Sequence, residues 1–237
     1  MNAIEKPQIL LFDIDGTLID SGGAGGGALL RALKQEFGLE DAQPVRLHGR
    51  TDLGIFRELL DNHGIGSDRG NFERLKSKYL ELLPEELTTR TAEVFPGVRE
   101  LLRLLEANDL AVNAILTGNL PGSARLKLEH HELTAFFEFG IYGDLAPHRP
   151  DLATPALALL EEHTGEMVAG SDITIIGDTP LDIELAKKMN ARSLGVCTGG
   201  FDKASLNDAG ADHVVENMAD FEAIADWLLS SSSVRSN

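Results

Sequence analysis

Two carboxylates, a glycine and a hydroxyl follow the first apolar run of the chain. The run occupies residues 9–12, and the stretch after it reads Asp13-Ile14-Asp15-Gly16-Thr17-Leu18. Because alternate residues of a strand share a face, Asp13 and Asp15 at a strand end can enter one crevice. Two like charges there are costly unless a cation neutralises them, and carboxylates with a backbone carbonyl suit Mg²⁺. An ordinary polar turn after a strand explains Asp-x-Asp-Gly alone, but not these six residues together.

Hydroxyl side chains at two predicted strand ends offer binding groups for a phosphate. Thr17 presents its hydroxyl and its backbone N–H. The apolar run 112–116 is followed by Thr117-Gly118-Asn119, where the threonine can hold a phosphate oxygen. Taken alone, this second stretch is better explained as a turn with a helix cap.

A second acidic stretch follows another apolar run. It reads Gly177-Asp178-Thr179-Pro180-Leu181-Asp182. Pro180 suits the first turn of a helix and Thr179 suits its cap. The spacing predicts that Asp182 points back towards Asp178. Both acids could merely complement the helix N-terminus, but together with the first acidic stretch on a parallel strand they favour a shared metal site.

Apolar runs and helical patterns alternate along most of the chain. The predicted strands are 9–12, 110–116, 173–176 and 193–197, with weaker ones at 137–142 and 213–215. The predicted helices are 97–107, 122–131, 153–162, 180–190 and 218–229. This alternation predicts an α/β fold with a Rossmann-like, doubly wound parallel sheet. Ligands bind at the carboxyl ends of the strands in such sheets.

Residues 21–92 interrupt the alternation with helical stretches and no convincing strand. We therefore predict an α/β core of residues 1–20 and 93–229 with an all-helical insertion of residues 21–92. The insertion's helical stretches are Ala28–Phe37, Leu53–His63 and Asn71–Leu83. The glycine-rich residues 22–27 and the turn 95–97 are predicted hinges, and the small polar tail 230–237 is predicted to be disordered.

Composition excludes several classes of partner. The chain of 237 residues has a formal net charge of −17, which argues against nucleic acid and anionic membranes. No apolar run approaches membrane-spanning length, and residues 1–7 do not resemble a signal peptide. The only cysteine, Cys197, allows no internal disulfide and favours a reducing, cytoplasmic location. A monomer and a homodimer are equally compatible with the sequence.

The three motifs together resemble those of the haloacid dehalogenase-like hydrolases, over roughly residues 8–228. The resemblance extends to the phosphoglycolate phosphatase and β-phosphoglucomutase branch, in which a helical cap domain stands where this chain has residues 21–92. The stretch His48-Gly49-Arg50-Thr51-Asp52 is similar to the substrate-facing cap segment of that branch. The resemblance implies that Thr17, Thr117, Gly118, Asn119 and Arg50 bind the substrate.

The resemblance also implies the catalytic roles. Asp13 would attack phosphorus and form an aspartyl phosphate, and Asp15 would act as acid and base. Mg²⁺ would be held by Asp13, the Asp15 carbonyl and Asp178, with Asp182 in the same metal-binding motif. True dehalogenases lack the second aspartate because they need no proton donor to an alkoxide, so the presence of Asp15 implies phosphoryl transfer.

The chain departs from the family at the third motif, where a lysine usually precedes a proline. The stretch here reads Ala146-Pro147-His148-Arg149-Pro150-Asp151, and no lysine lies between Lys127 and Lys187. Arg149 keeps the positive charge but binds oxygens as a planar fork. We predict that Arg149 contacts Asp13 and the phosphate, with His148 as the alternative and as a substrate-binding neighbour.

These expectations favour a Mg²⁺-dependent phosphatase that acts on a small phosphorylated metabolite. A sugar phosphomutase uses the same aspartyl phosphate and differs in returning the phosphate to a sugar. A binding or regulatory protein without turnover is a third hypothesis, and the altered third motif is its only support.

Overall fold

The computed structural model describes residues 7–108 and 110–230, so the predicted tail beyond Ser230 lies outside the described residues. The strands are β1 (Gln8–Phe12), β2 (Ile19–Asp20), β3 (Glu93–Val94), β4 (Ala111–Leu116), β5 (Gly140–Ile141), β6 (Ile173–Gly177), β7 (Arg192–Val196) and β8 (His213–Val215). The helices are α1 (Ala24–Phe37), α2 (Asp52–Asn62), α3 (Arg69–Thr89), α4 (Val98–Glu106), α5 (Pro121–His130), α6 (Ala153–Thr164), α7 (Pro180–Lys188), α8 (Lys203–Asp208) and α9 (Phe221–Leu229).

Six strands form one parallel sheet in the order β5-β4-β1-β6-β7-β8. Counted along the chain, this is the 3-2-1-4-5-6 order of a Rossmann-like sheet, and it reverses between β1 and β6. Phe12 pairs with Ile115 of β4 and with Ile176 of β6. The three central strands therefore end at the same edge, where Asp13, Thr117 and Asp178 follow them.

Each face of the sheet is covered by its own apolar core. Leu10 and Phe12 pack against one set of helices, which includes α4 and α9. Ile9 and Leu11 point to the opposite face and pack against α6 and α7. The near-continuous apolar sequence of β1 is what a strand buried on both faces requires. The predicted doubly wound α/β class is confirmed.

Residues 21–92, all of them described, form helices α1–α3 and contain no strand. These helices share an apolar core of their own, in which Leu33, Phe56 and Leu83 are fully buried. The insertion is joined to the sheet through the antiparallel pair β2 and β3, which the sequence analysis did not predict. A two-residue strand is too short to show a periodic pattern.

Three local details differ from the expectations. Helix α1 begins at Ala24, so three glycines of the predicted hinge 22–27 lie in its first turn, and the hinge itself stays a prediction. Helix α9 begins at Phe221, three residues after the predicted start, and α8 was missed. Within the described ranges, no helix is both long and apolar enough to cross a lipid bilayer.

Candidate active site

A cavity of about 380 Å³ lies at the carboxyl edge of the sheet, between the core and the helical insertion. The residues that follow β1, β4 and β6 form its floor, since Asp13, Asp15, Thr117 and Asp178 all line it. Its opposite wall comes from α1, α2, α3 and the loop before α2. The cavity thus lies where the strand order of the sheet reverses, which is the usual position of ligand sites in open α/β sheets.

Three carboxylates meet near the floor of this cavity; Asp13 and Asp178 line it, and Asp182 does not. Asp13, Asp178 and Asp182 are 4%, 1% and 2% exposed, and each offers an oxygen within 4.8 Å of the others. Burial and the neighbouring acids together raise the pKa of Asp13 to about 6, against the opposing effect of Arg149. Burial, together with Asp13 and Asp182, also raises the pKa of Asp178 well above its ordinary value. Oxygen ligands with mutual repulsion of this kind fit a hard divalent cation such as Mg²⁺.

Arg149 is the cation embedded in this acidic cluster. Its side chain is 2% exposed, and Nη2 lies 3.1 Å from Asp13 Oδ1 and 2.5 Å from Asp182 Oδ1. The same nitrogen donates to the carbonyl of Leu116 at 3.2 Å. Burial opposes the charged form, but the two carboxylates outweigh it and raise the pKa of Arg149. The predicted contact with Asp13 is present, and the contact with a phosphate stays a prediction.

Asp182 lies within ligand distance of Asp178, as predicted, but both of its carboxylate oxygens also have other contacts. Its Oδ2 accepts hydrogen bonds from the backbone N–H of Thr179 at 3.0 Å and from the Thr179 hydroxyl at 2.7 Å. Its Oδ1 pairs with Arg149. The first turn of α7 explains this, because an acid at the third helical position reaches back to the capping residue. Asp182 therefore holds Arg149 and caps the helix.

Asp15 lies in a second, separate hydrogen-bond group. Asn119 Nδ2 donates to Asp15 Oδ2 at 2.7 Å, and Lys127 Nζ lies 2.6 Å from the same oxygen. Burial would raise the pKa of Asp15, but the charge and hydrogen bond of Lys127 and the hydrogen bond of Asn119 bring it below its ordinary value. The two aspartates of the first motif thus have different partners and opposite pKa shifts.

Lys127 was not among the predicted site residues, whose basic side chains were Arg50, His148 and Arg149. It lies on α5, the helix that follows the Thr117 motif, and is 4% exposed. A signal was present, because Lys127 falls at the spacing of the apolar residues Ala124 and Leu128 on the buried face of that helix.

Glycines allow the close approaches that shape the cavity floor. Gly16 has φ of +83°, and a Cβ there would lie 2.5 Å from Asp178 Oδ2. A Cβ on Gly118 would lie 2.0 Å from the carbonyl oxygen of Arg50, in the loop before α2. Any side chain at Gly118 would therefore push the helical insertion away from the end of β4. Thr17 is fully buried and does not line the cavity, but its hydroxyl donates to Asp178 Oδ1 at 3.3 Å.

The insertion contacts the core through the segment that resembles the family's cap segment. Thr51 Oγ1 donates to the Pro147 carbonyl at 2.8 Å, and Asp52 N donates to the Gly118 carbonyl at 2.7 Å. Asp52 Oδ2 in turn accepts from the backbone N–H of Leu120 at 2.8 Å. Asp52, the last residue of that segment, also lines the cavity, as does Tyr79 of α3, which was not among the predicted site residues.

The two remaining predicted substrate-binding residues differ in position. Arg50 lines the cavity, with Nη2 2.5 Å from Glu58 Oε2. His148 is exposed and is not among the residues that line the cavity. The chain turns between His148 and Arg149, so that only the arginine enters the buried cluster.

Comparison with known proteins gives the family. The chain matches the haloacid dehalogenase-like hydrolases over residues 10–196, which is more than half of its length. It belongs to this family. The matched range includes all the motifs that carry the resemblance, so the family predicted from them is confirmed.

Individual relatives are distant in sequence but align over nearly the whole chain. A phosphoglycolate phosphatase of Rhodospirillum rubrum is 28% identical over 230 residues, which are 94% of this chain and 91% of the relative. The crystal structure of a predicted phosphoglycolate phosphatase of Haemophilus somnus has a TM-score of 0.71 at 18% identity, covering 94% of this chain and 99% of its own. A candidate β-phosphoglucomutase of Thermotoga maritima has a TM-score of 0.60 at 20% identity, covering 93% and 99%. At these identities the two structures show the fold alone.

Proposed function

We propose that this hydrolase is a Mg²⁺-dependent phosphatase that cleaves a small phosphomonoester through an aspartyl phosphate on Asp13. The observation that carries the proposal is that Asp13 and Asp15 line one cavity but have different surroundings. Asp13 lies among buried acids and an arginine, and Asp15 lies beside a lysine and an amide. Two carboxylates on one substrate-sized cavity can divide the reaction, one attacking phosphorus and the other exchanging a proton with the ester oxygen.

The enzyme class rests on the family and on the named relatives. The chain is a phosphoric monoester hydrolase, since it belongs to the hydrolase family and aligns over most of its length with proteins named phosphoglycolate phosphatase. Phosphoglycolate is what those relatives are named for, and for this chain it is one candidate within the class of small phosphomonoesters.

In the proposed reaction, a carboxylate oxygen of Asp13 attacks phosphorus and the bond from phosphorus to the ester oxygen breaks. Asp15 gives a proton to the departing oxygen, and then takes a proton from the water that hydrolyses the aspartyl phosphate. Asp15 is suited to exchange protons with the cavity because its side chain is 36% exposed, whereas that of Asp13 is 6% exposed.

The floor of the cavity supplies the groups that hold the phosphate. Thr117 would contribute its hydroxyl or backbone N–H, with Gly118 and Asn119 beside it at the end of β4. Thr17 would act from the turn after β1, where its hydroxyl donates to Asp178. Arg149 neutralises part of the charge on Asp13. A Mg²⁺ ion held by Asp13, Asp178 and the Asp15 carbonyl would offset negative charge that develops on the transferred phosphoryl group. Asp182 supports this site by holding Arg149.

Residues 21–92 act in this proposal as a cap domain that closes the cavity over the substrate. The contacts of Thr51 and Asp52 with the core support this role, because they bring the loop before α2 directly over the end of β4. Arg50 lies in that loop and is the insertion's cation at the cavity. Closure of this kind excludes water other than the one that reacts.

The experiment is the release of inorganic phosphate from a panel of small phosphomonoesters, with Mg²⁺ and after exhaustive chelation. We expect turnover only with Mg²⁺, and trapping of an acid-stable but base-labile phosphoenzyme that is absent from Asp13→Asn. Asp61→Asn, a change at the surface end of α2, is the matched control and should retain the wild-type rate. Full activity without metal would contradict the proposal, and conversion of sugar phosphates without phosphate release would establish the mutase instead.

A further inference from the structure

A buried ammonium group lies next to the proposed acid–base residue, and the mechanism above gives it no task. Lys127 is 4% exposed, although lysine is among the side chains least often buried. Its Nζ lies 2.6 Å from Asp15 Oδ2 and 2.7 Å from Asn119 Oδ1. Burial of a charge at this site is sustained by those two acceptors.

The three side chains form a closed triangle of hydrogen bonds. Asn119 accepts from Lys127 through Oδ1 and donates through Nδ2 to Asp15 Oδ2 at 2.7 Å. The amide is itself oriented by Thr117, whose Oγ1 lies 2.9 Å from Nδ2. Lys127 and Asn119 thus address one oxygen of Asp15 from two directions. This arrangement leaves the Asp15 carboxyl little freedom to rotate about its own bonds.

The ammonium group of Lys127 does not pair with the acids that surround Arg149. Arg149 pairs with Asp13 and Asp182, whereas Lys127 pairs with Asp15. Above the ammonium lies α1, where a Cβ on Gly25 would be 3.6 Å from Lys127 Nζ. The two cations of the site therefore serve different aspartates.

We propose that Lys127 is a positioning residue that acts through Asp15, aligning its carboxyl with the ester oxygen of the substrate. The inference rests on the proposed phosphatase function. As the Asp13–phosphorus bond forms and the phosphorus–oxygen bond breaks, Asp15 transfers its proton to the departing oxygen, and Lys127 keeps all of its protons. Misalignment of Asp15 matters most when the departing oxygen is strongly basic, because such a group leaves only with a proton.

The first test compares leaving groups in Lys127→Met, a neutral change of similar length. Phenyl phosphate and p-nitrophenyl phosphate have similar shapes, but nitrophenolate departs without a proton more readily. We expect kcat/KM to fall about 10- to 100-fold on phenyl phosphate and less than about 3-fold on p-nitrophenyl phosphate. The ratio of kcat/KM is the relevant quantity because it reports the steps up to formation of the phosphoenzyme.

A matched control removes another paired lysine far from the cavity floor. Lys76→Met breaks the pair in which Nζ lies 2.9 Å from Glu73 Oε2 on the outer face of α3. This variant should keep wild-type kcat/KM on both esters. Circular dichroism and thermal unfolding establish that each variant is folded, and Lys127→Gln, which retains a donor amide, replaces Lys127→Met if the latter unfolds. Lys127→Gln should also lose more kcat/KM on phenyl phosphate than on p-nitrophenyl phosphate, but by a smaller factor than Lys127→Met.

The second test is a double-mutant cycle with Asp15→Asn. If Lys127 acts through Asp15, Lys127→Met should cost no more than about 3-fold in the Asp15→Asn background. The inference would be overturned if Lys127→Met lowered kcat/KM equally on both esters, or if it caused its full loss in the Asp15→Asn background as well. Turnover by the wild type would still support the phosphatase function in either case. Absence of phosphate release from every ester by the wild type would overturn the proposed function, and the role of Lys127 with it.

Discussion

Replacing the buried nucleophile candidate by its neutral isostere should stabilise the metal-free protein while abolishing turnover. Asp13→Asn keeps the volume of the side chain but removes the charge that burial and the neighbouring acids disfavour. The pKa of Asp13 in the fold is about 6, against an ordinary value of 3.8. Since the folded state binds the proton more tightly than the unfolded chain, ionised Asp13 weakens the fold increasingly as pH rises from 3.8 through 6.

The magnitude follows from the two pKa values. At about 1.4 kcal/mol for each pH unit, the difference corresponds to about 3 kcal/mol at pH 7 to 8, where Asp13 is fully ionised in both states. At pH 5 the same two pKa values give a destabilisation of only about 1.6 kcal/mol, because the Asp13 carboxyl of the folded protein is then mostly protonated. Asp13→Asn should therefore raise the free energy of unfolding by these amounts, equivalent to roughly 6–12 °C in Tm near neutral pH.

The assay is denaturant unfolding of wild type and Asp13→Asn in chelator at pH 5 and pH 8. Addition of Mg²⁺ at pH 8 should reduce the difference in free energy of unfolding between Asp13→Asn and wild type. An ion present at 100 times its Kd that binds only the folded wild type adds about 2.7 kcal/mol to the wild type's free energy of unfolding. Asp61→Asn removes an exposed carboxylate and serves as the control for charge alone. A variant less stable than wild type at pH 8, or a difference that does not shrink towards pH 5, would refute the electrostatic reasoning.

Three further outcomes are expected. Arg149→Ala should lose most activity and about 3–5 kcal/mol of stability, because it leaves Asp13 and Asp182 buried without their cation. Arg149→Lys should retain part of the activity and part of the stability. His148→Ala changes an exposed residue and should stay near wild type in steady-state kinetics and thermal unfolding. Ca²⁺ should inhibit turnover in the presence of Mg²⁺, since it tolerates more ligands and a looser geometry; stimulation by Ca²⁺ would count against the octahedral site. Gly118→Ala should lower kcat/KM at least about 10-fold, because the new Cβ meets the Arg50 carbonyl and displaces the insertion; unchanged kinetics would show that this contact is dispensable.

Much of the fold could be predicted because its signals are local. The strand that precedes Asp13 is apolar throughout, as burial on both faces demands, and Thr179-Pro180 marks the start of α7 by capping chemistry. The helical insertion was visible as a long interval without strand patterns. The paired segments Ile19–Asp20 and Glu93–Val94 were not predictable, because two residues carry no period and their pairing is a long-range contact.

The candidate site divides in the same way. The sequence by itself determined which residues follow the strands, since the parallel topology brings Asp13, Thr117 and Asp178 to one edge whatever the side chains do there. Only the tertiary structure decided which charge meets which, because a side chain several ångströms long reaches partners that spacing along the chain does not specify. It placed Lys127, from the buried face of a helix, beside Asp15, and it paired Asp182 with Arg149 while also bringing Asp182 within ligand distance of Asp13 and Asp178.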